Sequence, residues 1–288
     1  MSDKIDFSTY GLIGADVTKS FSPRLYNAIF EELGQPAVYM PFSVTRERFL
    51  EALPVLRSDF AGFNVTAPFR HDILTQLDSV DESARRLGTA NTIRVEDGKL
   101  IGYNTEMVGF ERSLIGFAGN LYDKDVLLVG AGDVACAVAN VLLEKGAFLT
   151  IVSRNMSHAH ALRDKLQRTY NKNRVRVVRT VTQADQFDSV FSTSAVDLES
   201  TESQVIIHPS IYQNFRFAYT TSYKDTQFLK KAANFGAKTK NGFDMLFFQS
   251  IRSLEIWLGR QMDLSVVMSV HEKVKNSLED KTEKIEID

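Results

Sequence analysis

One cysteine in 288 residues excludes an internal disulfide and a Cys-based metal site, and it suits a reducing compartment. Neither sign of charge is in excess. Lys and Arg number 34 against 36 Asp and Glu, a formal net charge of -2, so no basic field is available to attract nucleic acid or an anionic membrane. Apolar runs are short as well, none reaching the roughly 18 residues of a membrane-spanning helix. The opening segment MSDKIDFSTYGL lacks an apolar core of signal-peptide length. These shortages lead to the expectation of a cytoplasmic protein with no nucleic-acid and no membrane partner. No internal repeat or low-complexity tract is present either. What the chain does have is 44% hydrophobic residues beside 24% charged ones, enough to build a core over a length of about two domains.

Periodicity and punctuation point to an α/β fold. Thr9 to Gly14 is a short apolar strand. Ser22-Pro23 then opens a helical pattern with Leu25, Ile29 and Leu33 on one face, stopped by Gly34 and Pro36; Ser22 suits the N-cap and Pro23 the first turn. Val38, Met40 and Phe42 alternate as in a strand, Arg46 to Leu56 reads as a helix carrying Pro54, and Phe60 to Val65 as the next strand. Asn91 to Val95 and Lys99 to Tyr103 flank Asp97-Gly98, a tight-turn signal. At Val126 to Val129 the character changes to a continuous apolar run of the kind buried on both faces of a parallel sheet. A glycine turn, a helix with Val134, Val138, Val141 and Leu142 on one face, and the strand Phe148 to Val152 complete a βαβ unit. Segments at Val175 to Val178, Ser189 to Phe191 and Phe217 to Tyr219 extend the same sheet, and the charged tail from Glu279 is expected to fray.

Gly130-Ala131-Gly132-Asp133-Val134-Ala135 fits the dinucleotide fingerprint in its required place, after a strand and at a helix start. Gly130 permits the tight turn, Gly132 lets backbone approach a pyrophosphate, and Ala135 keeps helix close to strand. Asp133 is a blemish beside a pyrophosphate unless it points away. The second strand ends in Ser153-Arg154-Asn155, where an NAD enzyme places an acid on the ribose 2′-hydroxyl. Arg154 instead offers a guanidinium to a 2′-phosphate, which favours NADP. The competing readings are a ligand-free glycine turn and a solvated arginine.

Further segments carry a resemblance: Lys19-Ser20-Phe21-Ser22-Pro23, Asn64-Val65-Thr66-Ala67-Pro68-Phe69-Arg70, Ala90-Asn91-Thr92, Gly102-Tyr103-Asn104-Thr105-Glu106 and Asn241-Gly242-Phe243-Asp244-Met245-Leu246-Phe247-Phe248-Gln249. In this order, with the glycine-rich turn between the last two, the chain resembles the shikimate dehydrogenase family over nearly its whole length. The resemblance implies a mixed α/β substrate domain at 1–107, completed by helices of 243–288 that return to it, and an NADP-binding Rossmann domain at 108–242. It implies reversible reduction of 3-dehydroshikimate to shikimate with NADPH. Ser20 and Ser22 would hold the substrate carboxylate, and Thr66, Asn91 and Gln249 match positions that bind its ring hydroxyls or carboxylate. Gly242 and Met245 match residues beside the nicotinamide. Ser192-Thr193-Ser194 stands where the family has Asn-Ala-Thr near the cofactor.

The departures fall on the chemistry. The family's catalytic lysine and aspartate are Arg70 and Glu106 here. Both charges survive, but an arginine does not release its proton, so Arg70 would bind or polarise oxygen and Glu106 is the better candidate for general base. Lys19 and Tyr26 stand in place of family histidines and Thr221 in place of a tyrosine, which points to a remodelled pocket. The expected partner is a small hydroxy carboxylic acid, shikimate or a related cyclic one; monomer and homodimer are both left open. The alternative is a non-catalytic NADP- or metabolite-binding sensor or partner protein, supported by the lost proton-transfer lysine. Ser22 as a helix cap, Thr105 as a cap, and Glu106 as a complement to a helix dipole are the structural readings of the same residues. His158 and His160 read as a surface pair, with no metal implied, and Cys136, Trp257, Phe247 and Phe248 as core.

Overall fold

The computed structural model describes residues 7–182, 184–194 and 207–285. By packing, the chain forms two compact units: the described residues up to Thr105 together with those from Ser250 on, and Glu106–Gln249.

The first unit is built on β1 (Ser8–Gly14), α1 (Ser22–Leu33), β2 (Ala37–Ser43), α2 (Arg46–Asp59), β3 (Gly62–Val65), β4 (Ser79–Val80), α3 (Glu82–Leu87), β5 (Thr92–Glu96) and β6 (Lys99–Tyr103). Its six-stranded sheet has the order β2-β1-β3-β5-β6-β4. β5 and β6 form the expected hairpin. Asp97 and Gly98 both have positive φ, 52° and 71°, the pairing that a tight turn matched to strand twist requires. β2 occupies the expected stretch, with Phe42 packed against the core, but its most buried residue is not one of the alternating three. Tyr39 is the buried residue and Met40 is exposed, because the Tyr39 ring stacks on Tyr26 with centroids 4.1 Å apart. α1 starts one residue earlier than expected. Phe21 occupies the N-cap without a side-chain bond, and Ser22 is the first helical residue rather than the cap.

The second unit contains α4 (Glu106–Ser113), β7 (Asp125–Val129), α5 (Asp133–Glu144), β8 (Phe148–Val152), α6 (Met156–Leu166), β9 (Val175–Val178), β10 (Ser189–Ser192), β11 (Phe217–Thr220), α7 (Gln227–Asn234), β12 (Lys238–Lys240) and the first two turns of α8 (Phe243–Leu258). Its sheet is parallel throughout, in the order β12-β11-β10-β7-β8-β9. The apolar run of β7 is fully buried from Val126 to Val129, as a central parallel strand requires. Phe110 meets Phe191 and Tyr219 edge-on, at 5.7 and 5.4 Å between centroids, which seals α4 against β10 and β11.

The rest of α8 and α9 (Leu264–Ile285) belong to the first unit. Trp257 fastens α8 there, stacking on Tyr10 at 4.6 Å and donating from Nε1 to the Ile93 carbonyl at 2.9 Å. Lys273 of α9 pairs with Glu32 of α1 at 3.1 Å. The tail expected to fray from Glu279 is helical to Ile285; 286–288 lie outside the described residues. Among the described residues no helix is long and apolar enough to cross a membrane, and no three His, Cys, Asp or Glu side chains gather as a metal site.

Candidate functional site

Strand direction decides where the candidate residues of the first unit meet. β1 and β3 run parallel with Ile13 opposite Val65, β5 runs antiparallel to β3, and β6 antiparallel to β5. The C-terminal ends of β1, β3 and β6 and the start of β5 therefore lie at one end of the sheet. From those points issue the segments bearing Ser20 and Ser22, Thr66 and Arg70, Asn104 and Thr105, and Asn91. Backbone bonds lace these segments together: Thr66 N–H to the Ile13 carbonyl at 2.9 Å, Ala90 N–H to that of Arg70 at 3.1 Å, and Asn91 N–H to that of Tyr103 at 3.0 Å. The Ser22 N–H donates to Ser20 Oγ at 3.3 Å, which couples the two serines.

Asn91 is buried, and its side chain is held from two directions. Its Oδ1 accepts from the Thr105 N–H and from Thr92 Oγ1, both at 3.0 Å, while Nδ2 donates to Thr105 Oγ1 at 3.1 Å. Behind it, Asn64 Nδ2 donates to the Asn91 carbonyl at 2.9 Å and to Thr92 Oγ1 at 3.0 Å, and Asn64 Oδ1 accepts from the Tyr39 hydroxyl at 2.8 Å. Burial pushes the Tyr39 hydroxyl well above its ordinary range and the Tyr26 hydroxyl up to about 12, so both remain neutral donors. Thr105, offered as a helix cap by its sequence position, directs its hydroxyl to Asn91.

In the second unit the chain order of the strands reverses between β7 and β10, and an open parallel sheet binds ligands outside the carboxyl ends at such a switch point. A pocket of about 240 Å³ lies there, lined from β7 and its turn by Val129, Gly130, Ala131 and Gly132, from β8 onward by Ser153, Arg154, Asn155 and His158, and after β10 by Thr193 and Ser194. Gly130 has φ 109°, and any side chain there would also strike Thr193 Oγ1. Thr193 is fixed by bonds from its N–H and Oγ1 to the Val129 carbonyl, at 2.8 and 3.0 Å. Gly132 is the N-cap of α5 without a capping side chain, and a Cβ built on it meets nothing within 4 Å. The α5 N-terminus thus faces open space, which suits an anion. Ala135 is buried in α5 and does not line the pocket, in keeping with a packing role. Arg154 and His158 are the ionisable residues lining the pocket, so nothing there opposes a phosphate on the ribose. Cys136 is buried, and burial pushes its thiol up, which leaves it unreactive.

The remaining candidates sit on α4 and α8. The two helices approach so closely at Gly109 that a Cβ there would lie 2.7 Å from the Met245 carbonyl and 3.0 Å from the Gln249 nitrogen. Glu106, one turn earlier on α4, and Gln249 therefore stand on adjacent helices, at the first and last residues of the second unit. Glu106 and Met245 are buried. Gly242 donates its N–H to the Ser222 carbonyl at 2.6 Å, and a Cβ on it would run into the Thr221 backbone, 2.9 Å from Cα. Lys240 braces this turn, with Nζ 2.6 Å from Asp244 Oδ2 and 2.7 Å from the Ser113 carbonyl.

Sequence reasoning placed His158 on the surface, where it is exposed, without assigning it to the pocket it lines, and placed Ser192-Thr193-Ser194 near the cofactor only by the resemblance. The signal for His158 was its place on the first turn of a helix that follows Arg154. Thr193 and Ser194 do line the pocket.

The chain is similar to known proteins over most of its length. Residues 12–93 match the shikimate dehydrogenase substrate binding domain, and residues 114–208 match the shikimate / quinate 5-dehydrogenase family. A shikimate dehydrogenase (NADP(+)) of Methanococcus maripaludis strain C7 is 34% identical over 92% of this chain and 96% of its own. The crystal structure of shikimate dehydrogenase from Aquifex aeolicus superposes with a TM-score of 0.81 at 32% identity, covering 92% of this chain and 98% of that one. The Thermus thermophilus shikimate 5-dehydrogenase, solved in complex with NADP(H) and shikimate, gives 0.79 at 26% identity over 93% of this chain and 100% of that one.

Proposed function

Since the chain belongs to the shikimate dehydrogenase family and is an NADP-dependent oxidoreductase of it, we propose that its substrate is shikimate or a closely related cyclic hydroxy acid. The observation that carries this reading is the single sheet end from which Ser20, Ser22, Thr66, Arg70 and Asn91 all issue. Hydroxyls, an amide and a cation in that cluster are the groups a polyhydroxy carboxylate requires.

The bound nicotinamide supplies hydride exchange with the substrate's hydroxyl-bearing carbon. The chain's own residues do the rest. Ser20 and Ser22 donate their hydroxyls to the carboxylate, Thr66, Asn91 and Gln249 fix the ring, and Arg70 binds the reacting oxygen as a permanent cation. In the oxidation direction the hydroxyl proton passes to the Glu106 carboxylate, and in reduction it returns. Gly130, Gly132 and Ala135 shape the pyrophosphate turn, Ser153 and Arg154 take the adenosine end, and Gly242 and Met245 border the nicotinamide. A single buried thiol and the absence, among the described residues, of a spanning helix favour a cytoplasmic setting.

The test is turnover of shikimate and a panel of related hydroxy acids with NADP and NAD, read by absorbance of the reduced nicotinamide. Sustained turnover of a cyclic hydroxy acid is expected; none with any member of the panel would refute the substrate assignment. Arg154→Ala is expected to cut kcat/KM with NADP about tenfold or more and leave NAD nearly unchanged, since a hydrogen bond to a charged group contributes about 1.5–3 kcal/mol. An unchanged ratio between the two cofactors would remove Arg154 from the 2′-phosphate. Ser20→Ala and Ser22→Ala should each weaken acid binding about tenfold in a calorimetric titration while NADPH affinity stays put. Because Ser22 does not cap α1, its melting temperature should also hold.

A further inference from the structure

β12, Lys238-Thr239-Lys240, is a strand without an apolar residue, and its two lysines share one face because side chains alternate along a strand. In register with Phe217 and Tyr219 of β11, both reach the C-terminal end of α4. Lys238 Nζ donates to the Gly116 carbonyl at 2.7 Å, in the turn that follows the helix. Lys240 Nζ donates to the carbonyl of Ser113, the last helical residue, at 2.7 Å. Each ammonium stands 5.5 Å from the centroid of the Phe117 ring. A helix leaves its last carbonyls without intrahelical donors and carries partial negative charge there, so a lysine suits both positions. Only Lys240 has a second anionic partner. Its Nζ is also 2.6 Å from Oδ2 of Asp244, on the first turn of α8, with side-chain exposures of 21% and 18%. One ammonium therefore joins the negative end of α4 to the start of α8, the helix that carries Met245 and Gln249.

The two helices also meet at Gly109, where a Cβ would lie 2.7 Å from the Met245 carbonyl. Ser113 lies beyond that contact and Glu106 before it, about 6 and about 4.5 Å away along the axis at a rise of about 1.5 Å per residue. With Gly109 as fulcrum, a displacement of about 1 Å at Ser113 swings Glu106 by about 0.75 Å the other way. The edge-on contacts of Phe110 with Phe191 and Tyr219, and the bond between the Ser113 and Tyr219 hydroxyls at 3.0 Å, hold α4 to the sheet. They do not hold it to α8.

We propose that Lys240 is a positioning residue, whose ammonium between the Ser113 carbonyl and the Asp244 carboxylate fixes α4 against α8 and so keeps the Glu106 carboxylate where proton transfer requires it. This rests on the assignment of Glu106 as general base given above. Proton transfer tolerates little displacement. A misplacement of about 1 Å can cost about a hundredfold, and about half that displacement should cost about tenfold.

The experiment is steady-state kinetics on the full chain, with NADP and the hydroxy acid of the panel that turns over fastest. The proteins are wild type, Lys240→Met, Lys240→Arg, Lys238→Met, Glu106→Gln and Lys240→Met with Glu106→Gln, each checked by its melting curve. Methionine keeps the apolar stem of lysine and loses the ammonium. Lys240→Met should lower kcat about tenfold while KM for the acid and for NADP stays within about twofold of wild type. Lys240→Arg retains the charge and should recover most of the loss. Lys238→Met, whose partner lies past the helix end, should keep wild-type kcat even where its melting temperature falls. In the Glu106→Gln background Lys240→Met should cost nothing more, because no base is left to misplace. Wild-type kcat in Lys240→Met would overturn the proposal. So would an equal proportional loss with and without Glu106, which would mark a general loosening of the fold. Where Lys240→Met does not fold, Asp244→Asn carries the same test: it keeps the shape, removes the charge that faces the ammonium, and should lower kcat about threefold only when Glu106 is present. Retention of a tenth or more of wild-type kcat/KM in Glu106→Gln alone would remove the base assignment and the proposal together, and so tells that failure from the other two.

Discussion

Glu106→Gln should lower kcat/KM for the hydroxy acid by about two to four orders of magnitude, the usual contribution of a positioned general base, with NADPH affinity unchanged. The side chain is buried at the first turn of α4, and the residue before it is pinned through the Thr105 N–H to Asn91 Oδ1. Glutamine keeps the shape and the acceptor oxygen and loses only the ability to take a proton, so the loss should appear in kcat more than in KM. Retention of a tenth or more of wild-type kcat/KM would disqualify Glu106 as the base. Arg70, the other member of the proposed pair, is a cation that does not exchange its proton. Glu106→Asp alone withdraws the carboxylate by one methylene and should be impaired, since a misplacement of about 1 Å can cost a hundredfold. Adding Arg70→Lys supplies a cation that titrates, and the double variant should recover to wild-type kcat/KM or beyond. If both act on one hydroxyl, as proposed above, their effects should not add. A double variant no better than Glu106→Asp would show that the pocket around the pair has been rebuilt for arginine.

What was legible in the sequence was what is decided locally. The glycine turn at Gly130 announces itself because a positive φ and a buried strand before it leave few other residues admissible. The Asp97-Gly98 hairpin was legible for the same reason. β12 was not, since Lys238-Thr239-Lys240 has no apolar alternation and is a strand only because β11 pairs with it. The alternation of Val38, Met40 and Phe42 located β2, but it did not show that Tyr39 is the most buried residue, which a tyrosine stack with α1 decides. His158 was read with His160 as a surface pair, and both are exposed; that His158 also lines the pocket at the glycine turn follows from the turn that leads out of β8. Asn64 shows the limit most plainly. As part of a motif it could be quoted, yet its work lies in partners on β2, β5 and α8 that no spacing rule connects.

That work leads to the second large effect, which is on stability as well as function. Asn64 accepts from the buried Tyr39 hydroxyl at 2.8 Å and donates to Thr92 Oγ1 at 3.0 Å, to the Asn91 carbonyl at 2.9 Å and, more distantly, to Ser253 Oγ at 3.4 Å. One amide thus ties the edge strand β2 to β5 and to the helix that returns from the other unit. In Asn64→Leu the Tyr39 hydroxyl loses its acceptor inside a core from which water is excluded, and the donor to the β5 side disappears with it. Each buried polar group left unsatisfied costs about 1–3 kcal/mol, and the bonds of one network weaken together. A loss of about 3 kcal/mol is expected in urea unfolding, against about 1 kcal/mol for Tyr39→Phe, which removes the donor and leaves an acceptor with other neighbours. The double variant should lose less than the sum, because removing both partners leaves fewer orphans than removing one. The functional consequence should be confined to the acid. The network sets the plane of the Asn91 amide, so the fraction of Asn64→Leu that remains folded should show a raised KM for the hydroxy acid. Its affinity for adenosine 2′,5′-bisphosphate, which depends on the other unit, should match the wild type. Unfolding that shifts by less than about 1 kcal/mol would mean that other groups satisfy Tyr39 and Thr92, and Asn64 would then be one residue of a loose polar core rather than its tie.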